Sequence, residues 1–489
     1  MASKTNQPSG YLPDEKPPVV ELILFALQQI VVMFPATVLV ALITHFHVST
    51  TIFASGLATL CFILITGRKI PLYYGSSFSY ITAIGSIVTA DIISSNDPAL
   101  LNSAIAQAQF GIVMSGFVSI AAGFIIKSQG RKTIDRILPP TVTGSIAMII
   151  GLSLAANAMQ NAASTSDISY ILSNPDIFAK SVVSAAESNV FTNYSWIIAI
   201  ITLVSTIVYS VYLKGKLSQL PILFGLLTGY AAALIIGAAT GLPFVSFDAS
   251  IKGVASSELT GIFHLPKFTL PIPSLAAIAA IMPIAIATIP ESTAHVYQLD
   301  IYVNDLAKKK GSKKKYNIAD KLGLNLIGDG LGDIISGFIG GPAGTNYGEN
   351  ISTMAISKVF AIPVLIAAAI ITMVISCFTP LITLVYSIPT SVIGGLSIYL
   401  FGVIAAQGIT IMLASKVDMF KAKNLAVIAI ILVIGLGGSY GFSQGMIKVF
   451  GVQFPALATA AVVGIVFNLL LSIGQKDETP ATEQPDNIQ

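Results

Sequence analysis

The apolar positions of this chain fall into long unbroken runs, neither alternating nor spaced as a single helical stripe. The run from Pro363 to Pro380, for example, carries no charged residue. A helix needs about 20 such residues to cross a bilayer, whereas a closed β-barrel would show weak alternation of polar and apolar positions. The pattern predicts about fourteen helical segments of spanning or near-spanning length. Their ranges are 20–43, 50–66, 76–93, 105–126, 140–158, 195–213, 219–240, 274–298, 322–339, 347–358, 361–379, 389–412, 423–438 and 453–473. The tenth is too short to cross alone and follows the turn-rich stretch Gly340-Gly341-Pro342-Ala343-Gly344; the third follows Gly67 to Gly75. Short, glycine-interrupted segments in matching places predict a binding site near the middle of the membrane.

Composition agrees. The 489 residues are 54% hydrophobic and only 10% charged, against roughly 25% charged in a soluble domain. A net charge of +3 gives no reason to expect nucleic acid as a partner. Cys61 and Cys377 both lie in apolar runs, which supports neither a disulfide framework nor a metal site, and no cofactor is expected. Residues 1–19 are polar and lack the apolar core of a cleavable leader, so the first apolar segment is expected to stay as a membrane helix. Residues 474–489 read as a second polar tail.

Lysine and arginine test the segment count. With fourteen crossings both termini share one side, and twenty-two of the 26 Lys and Arg fall there, leaving only Lys180, Lys252, Lys267 and Lys448 opposite. Positive charge favours the cytoplasm, so both termini are expected to be cytoplasmic in a multi-pass cell-membrane protein. The run Lys308 to Lys315 reads as a solvated cytoplasmic loop. The chain also looks doubled. Tyr74-Gly75-Ser76-Ser77 is echoed by Tyr347-Gly348-Glu349-Asn350, and Pro139, Val142 and Gly144 by Pro389, Val392 and Gly394. Seven segments per half is odd, so the halves would run in opposite senses, as an inverted repeat.

Ionisable groups inside a bilayer are expensive and usually functional. Glu291 and His295, four apart on segment eight, share a helical face. Glu349 opens segment ten. Asp329 and Asp333, also four apart, sit among glycines on segment nine, where buried groups satisfied by a neighbouring helix are an equal alternative. Two carboxylates beside broken backbone, with free N–H groups at a half-helix start, match a planar ring with N–H donors and carbonyl acceptors, such as uracil. Phe78 offers such a ring an apolar wall. A sugar or a cation also uses two carboxylates, so this chemistry alone leaves the cargo open.

The stretch Asn346-Tyr347-Gly348-Glu349-Asn350-Ile351, followed by Met354-Ala355-Ile356-Ser357-Lys358, resembles the signature of the nucleobase–ascorbate transporter family, nearest its bacterial uracil permeases. Met33 to Val40, Gly75-Ser76-Ser77-Phe78, Glu291 with His295, and Ser415-Lys416-Val417-Asp418 carry the likeness from about Glu21 to Ser472. The resemblance implies an all-α membrane fold of fourteen segments in two inverted repeats of seven, with short strands in segments three and ten. It implies a core domain (20–126 and 241–379), a gate domain (127–240 and 380–473) and homodimers formed through the gate domains. By position, Glu291 and Glu349 would accept hydrogen bonds from the nucleobase. The backbone at Phe78 and Gly348 would donate to it, Tyr347 would line the site, and His295 with Glu291 would couple protons. Gln28, Gln29, Ser76, Ser79 and Asn350 would support the site. The chain departs from the family pattern at Gln29, where a His is common, and at Pro35, Ser79, Ser352 and Ser357.

The resulting expectation is a proton-coupled uracil importer working by alternating access. A purine or xanthine symporter and an anion transporter of the same architecture are the alternatives. An enzyme is not expected: His45, His47, His264 and His295 are scattered, with no metal-ligand spacing.

Overall fold

The computed structural model describes residues 10–89, 92–93, 97–129, 136–176, 178–214, 217–218, 220–247, 261–449 and 452–473. Of the predicted tails (1–19 and 474–489), residues 1–9 and 474–489 lie outside that set. In chain order the elements are α1 (Val19–Thr44), α2 (Val48–Ile65), β1 (Tyr74–Ser76), a 3-10 turn (Phe78–Tyr80), α3 (Ile81–Gly85), α4 (Pro98–Gln129), α5 (Pro140–Ser153), α6 (Ala155–Ala162), α7 (Thr165–Ser173), α8 (Lys180–Glu187), α9 (Val190–Tyr212) and α10 (Pro221–Thr240). The second half holds α11 (Leu275–Ile281), α12 (Ile284–Lys309), α13 (Leu322–Ile339), β2 (Gly344–Asn346), α14 (Gly348–Ser357), α15 (Ile362–Ile375), α16 (Thr379–Tyr386), α17 (Thr390–Ala414), α18 (Ala422–Gly441), β3 (Met446–Val449), β4 (Val452–Pro455) and α19 (Ala456–Leu471).

Among the described residues ten helices are long and apolar enough to cross a membrane; α15 and α19 are shorter apolar helices. This is a multi-pass helical membrane protein. α9, α10 and α18 bury little of their length, and their outward faces are apolar, with Ile200, Val204, Ile235 and Val433 more than half exposed. Water would make that surface costly, whereas lipid tolerates it.

Helices approach one another through small residues. α4 packs along α13 with glycines in reciprocal contact: a Cβ at Gly116 would lie 2.4 Å from the Gly330 carbonyl oxygen, and one at Gly330 the same distance from that of Gly116. Gly123 and Gly323 repeat this two turns away, at 2.6 and 2.7 Å. α5 and α17 meet in the same manner through Gly144 and Gly408. Lipid supplies no hydrophobic drive between helices, so close backbone packing carries the association.

Two broken crossings meet inside this frame. β1 and β2 pair antiparallel, with Tyr74 opposite Asn346, Gly75 opposite Thr345 and Ser76 opposite Gly344. Flanking bonds extend the ladder, from Tyr347 N to Tyr73 O (3.0 Å) and from Ser77 N to Ala343 O (2.9 Å). Backbone that leaves a helix at membrane depth must find partners in protein, and here each broken segment supplies the other's. All six paired residues are buried.

Several elements differ from the sequence expectation. Segment three, expected over 76–93, is broken into the 3-10 turn and the five-residue α3. Segment five, expected over 140–158, is α5 and α6 and runs on to Ala162. α7, α8 and the β3–β4 hairpin were not anticipated; α7 and α8 are short and amphipathic, so no apolar run of spanning length marks them. Segment eight, expected to end at 298, is α11 and α12 joined at Pro283 and runs on to Lys309. Hydropathy alone would set Glu291 near the cytoplasmic end of segment eight; the longer helix places it near the middle of Leu275–Lys309.

Gly330→Val should force α4 and α13 apart. Overpacking costs about 1–3 kcal/mol, so the thermal midpoint of detergent-purified protein should fall clearly below that of the unmodified chain. An unchanged midpoint contradicts the close contact.

Candidate substrate site at the crossed strands

α12 packs against the 3-10 turn, β2 and α14, and so brings the two predicted carboxylates to the strand crossing. Pro290 interrupts the ladder of α12 one residue before Glu291. Glu291 Oε2 accepts a hydrogen bond from Ser79 Oγ at 3.3 Å. Glu349 is the second residue of α14, at the end where backbone N–H groups lack helical partners. The two carboxylates lie within coulombic reach of each other. Both, and His295, keep some accessible surface although their neighbours Ser292, Thr293 and Asn350 are buried, so they line a space.

His295 lies one turn along α12 against Gly348: a Cβ there would sit 2.9 Å from His295 Nε2. A side chain at 348 would therefore displace the tip of the His295 ring, so glycine here serves close approach and not backbone angle. His295 Nδ1 has no hydrogen-bond partner among the described residues. Phe78 meets Phe401 of α17 edge to face, with ring centroids 5.6 Å apart and planes at 75°. Phe78 precedes Ser79 in the same 3-10 turn, so this ring pair joins α17 to the turn that donates to Glu291. Phe401 escaped sequence reasoning because it is one apolar residue in an apolar helix.

The supporting residues divide by task. Asn350 Nδ2 donates to Gln29 O (3.0 Å) and Gln29 Oε1 (2.8 Å), so Gln29, standing where the family often has His, ties α1 to α14. Gln28 is partly buried on the same helix. The Tyr347 side chain is buried; its hydroxyl donates to Ser76 O at 3.1 Å and lies 2.9 Å from Thr37 Oγ1. Tyr347 thus braces α1 against the strands, and Ser76 takes part through its carbonyl. Gly75 admits the Tyr347 ring, since a Cβ there would lie 2.3 Å from it.

Asp329 and Asp333 hold the crossing from behind. Asp329 Oδ2 accepts from Ser292 Oγ (2.8 Å), Asn325 Nδ2 (3.0 Å) and Asn346 Nδ2 (3.2 Å). Asp333 Oδ1 accepts from the Tyr74 hydroxyl (2.5 Å) and Gly344 N (2.8 Å). These carboxylates link α13 to α12 and to both strands, and Ser292 is the residue after Glu291. Among the described residues no group of three or more His, Cys, Asp or Glu is arranged to hold a metal.

Tyr74→Phe keeps the packing at Gly332 and Gly344 but removes a donor from buried Asp333. Leaving a buried acceptor short costs about 1–3 kcal/mol, so the thermal midpoint should drop. A midpoint equal to that of the unmodified protein would show that the bond is dispensable.

Residues 20–444 match the profile of a permease family. The chain is 33% identical over 465 residues to the uracil permease of Bacillus caldolyticus, covering 94% of this chain and 93% of that one. It is 32% identical over 462 residues to the uracil permease of Bacillus subtilis, covering 94% of each. It is also 31% identical over 477 residues to the putative pyrimidine permease RutG of Escherichia coli, covering 97% and 95%. In fold it is similar to the transmembrane domain of a cyanobacterium bicarbonate transporter, BicA, with a TM-score of 0.58 at 14% identity over 94% of this chain and 99% of that one. It is similar again to the murine Slc26a9 anion transporter, with a TM-score of 0.60 at 12% identity over 94% and 69%. With the signature around Glu349 seated at a strand crossing and the match running through both halves, the chain belongs to the nucleobase–ascorbate transporter family of membrane permeases.

Proposed function

We propose that this protein is a nucleobase transporter that imports uracil or a close analogue together with protons, by alternating access. The observation that carries the reading is the meeting of Glu291, steadied by Ser79, with the half-helix start at Gly348 and Glu349. Uracil has two ring N–H groups for the two carboxylates, and two carbonyls for the backbone N–H groups at Phe78 and Gly348. Phe78 and Phe401 form its apolar wall. The names of the relatives support the same cargo.

In this account the fourteen segments are the ten long helices, the two shorter apolar ones and the two broken crossings, arranged as inverted repeats of seven. The reciprocal contact of Gly144 on segment five with Gly408 on segment twelve, which are equivalent in such a repeat, supports the pseudo-twofold. The core (20–126 and 241–379) carries both carboxylates, and the gate (127–240 and 380–473) carries Phe401. Rocking of one against the other exposes the site to each side in turn. Proton entry at Glu291, assisted by His295, neutralises the site, and a membrane potential adds about 2.3 kcal/mol per charge per 100 mV. Both termini are cytoplasmic, and pairs of chains associate through the gates.

A purine or xanthine symporter is the second reading; it differs only in the pocket, where Glu349 favours a pyrimidine. An anion transporter would want positive charge at the half-helix start, and Glu349 has the opposite sign.

Labelled uracil should accumulate in proteoliposomes under an inward proton gradient, and collapsing the gradient should stop accumulation. Uptake indifferent to the gradient would exclude proton coupling. Glu349→Gln removes a charged acceptor worth about 1.5–3 kcal/mol, so uracil affinity should fall roughly tenfold or more. Unchanged affinity removes Glu349 from the site, and stronger competition by xanthine than by uracil favours the second reading.

A further inference from the structure

Residues 10–16, read from sequence as part of a polar cytoplasmic tail, are built into the protein. Tyr11 pairs in parallel with Val359. Tyr11 N donates to Lys358 O (2.8 Å), Phe360 N to Tyr11 O (2.8 Å) and Ile362 N to Pro13 O (3.1 Å). Gly10, at φ +148°, lies so close to Lys358 that a Cβ would sit 2.6 Å from its carbonyl oxygen. Lys358 is the left-handed residue that ends α14.

The next residues grip the end of α12. Lys310 Nζ donates to both carboxylate oxygens of Glu15 (2.8 and 2.7 Å) and to Gly10 O (2.9 Å). Lys314 Nζ donates to Asp14 Oδ2 at 2.8 Å, and the Tyr316 hydroxyl to Asp14 Oδ1. Part of the Lys308–Lys315 run is therefore engaged, which corrects its reading as a wholly solvated loop. Burial pushes the Asp14 carboxyl up, but the bonds from Lys314 and Tyr316 outweigh it and hold the group below its ordinary value. A depressed group gives its full contribution above the unfolded-state value and loses it as pH falls through the folded one, so these bonds persist at neutral pH.

The two helices joined here are those that carry the paired carboxylates: Glu349 at the opposite end of α14 and Glu291 about five turns back along α12. α14 runs about 15 Å from Gly348 to Ser357, and α12 about 28 Å from Glu291 to Lys310, at 1.5 Å per residue. We propose that residues 10–16 form a positioning clasp, which sets the separation of Glu291 and Glu349 by holding the far ends of α12 and α14 together. Single ion pairs this exposed contribute little; the clasp acts through added strand pairing and charge contacts in one short segment.

The test uses the full chain. With Cys61→Ser and Cys377→Ser, spin labels at Ile301→Cys and Ile356→Cys, both outward and more than half exposed, report the spacing of α12 and α14. Asp14→Asn with Glu15→Gln should broaden the distance distribution and weaken uracil binding about fivefold, with the helical content unchanged. Lys310→Gln should weaken binding in the same sense, and Lys310→Arg should retain it. A narrow distribution with unchanged affinity overturns the clasp, and so does weakened affinity without any change in spacing. The binding arm rests on the nucleobase reading. An unmodified protein that ignores uracil defeats that reading, while the labels still test the clasp.

Discussion

The antiparallel pairing of two broken crossings is the constraint on which the site depends. Backbone inside a membrane has no water to bond, so a helix can stop at mid-depth only where another segment completes its hydrogen bonds. β1 and β2 complete each other's. The interruption frees the start of α14, with its unpaired N–H groups, to face the centre of the protein. The polar groups that α14 brings to the site follow from that opening. Gly75 and Gly344 make it sterically possible, because each admits a tyrosine ring from the opposite segment against its Cα.

A ring of buried polar groups holds the crossing in place. Asp333 binds β2 and Tyr74, Asp329 binds Asn346 and Ser292, and Asn350 binds Gln29. Charge is thereby divided into two layers. The rear carboxylates each accept more than one protein donor on one oxygen, Asp329 on Oδ2 and Asp333 on Oδ1, whereas Glu291 has a single hydroxyl donor among the described residues and faces a space with Glu349. Under the proposed function this leaves the front pair to receive a ligand or a proton, while Asp329, through Ser292, steadies the turn of α12 that carries Glu291.

Much of this was legible in the sequence. The unbroken apolar runs gave the membrane helices, and for segments nine and ten the bounds agree with α13 and α14 almost residue for residue, because glycine-rich turns punctuate both. Glu291, Glu349 and His295 stood out because ionisable residues are rare in apolar runs, Gly348 and Ser79 entered as site residues only through the family resemblance, and the structure brings all five together. Phe401 did not stand out, since an apolar residue in an apolar helix has no contrast. Segment eight was cut short because polarity after 298 ends a hydropathy run while the helix continues to Lys309. The packing of residues 10–16 was invisible for a related reason: a polar strand whose partners lie some 300 residues away in sequence leaves no local pattern.

The central claim is that a pyrimidine ring sits between Glu291 and Glu349. The most direct measurement is a crystal structure with 5-bromouracil, located by the anomalous signal of its bromine. The account predicts a single strong peak in the space bounded by the two carboxylates, Phe78 and Phe401, with the ring N–H groups turned toward the carboxylates. A peak elsewhere in the protein, with that space empty, would contradict it.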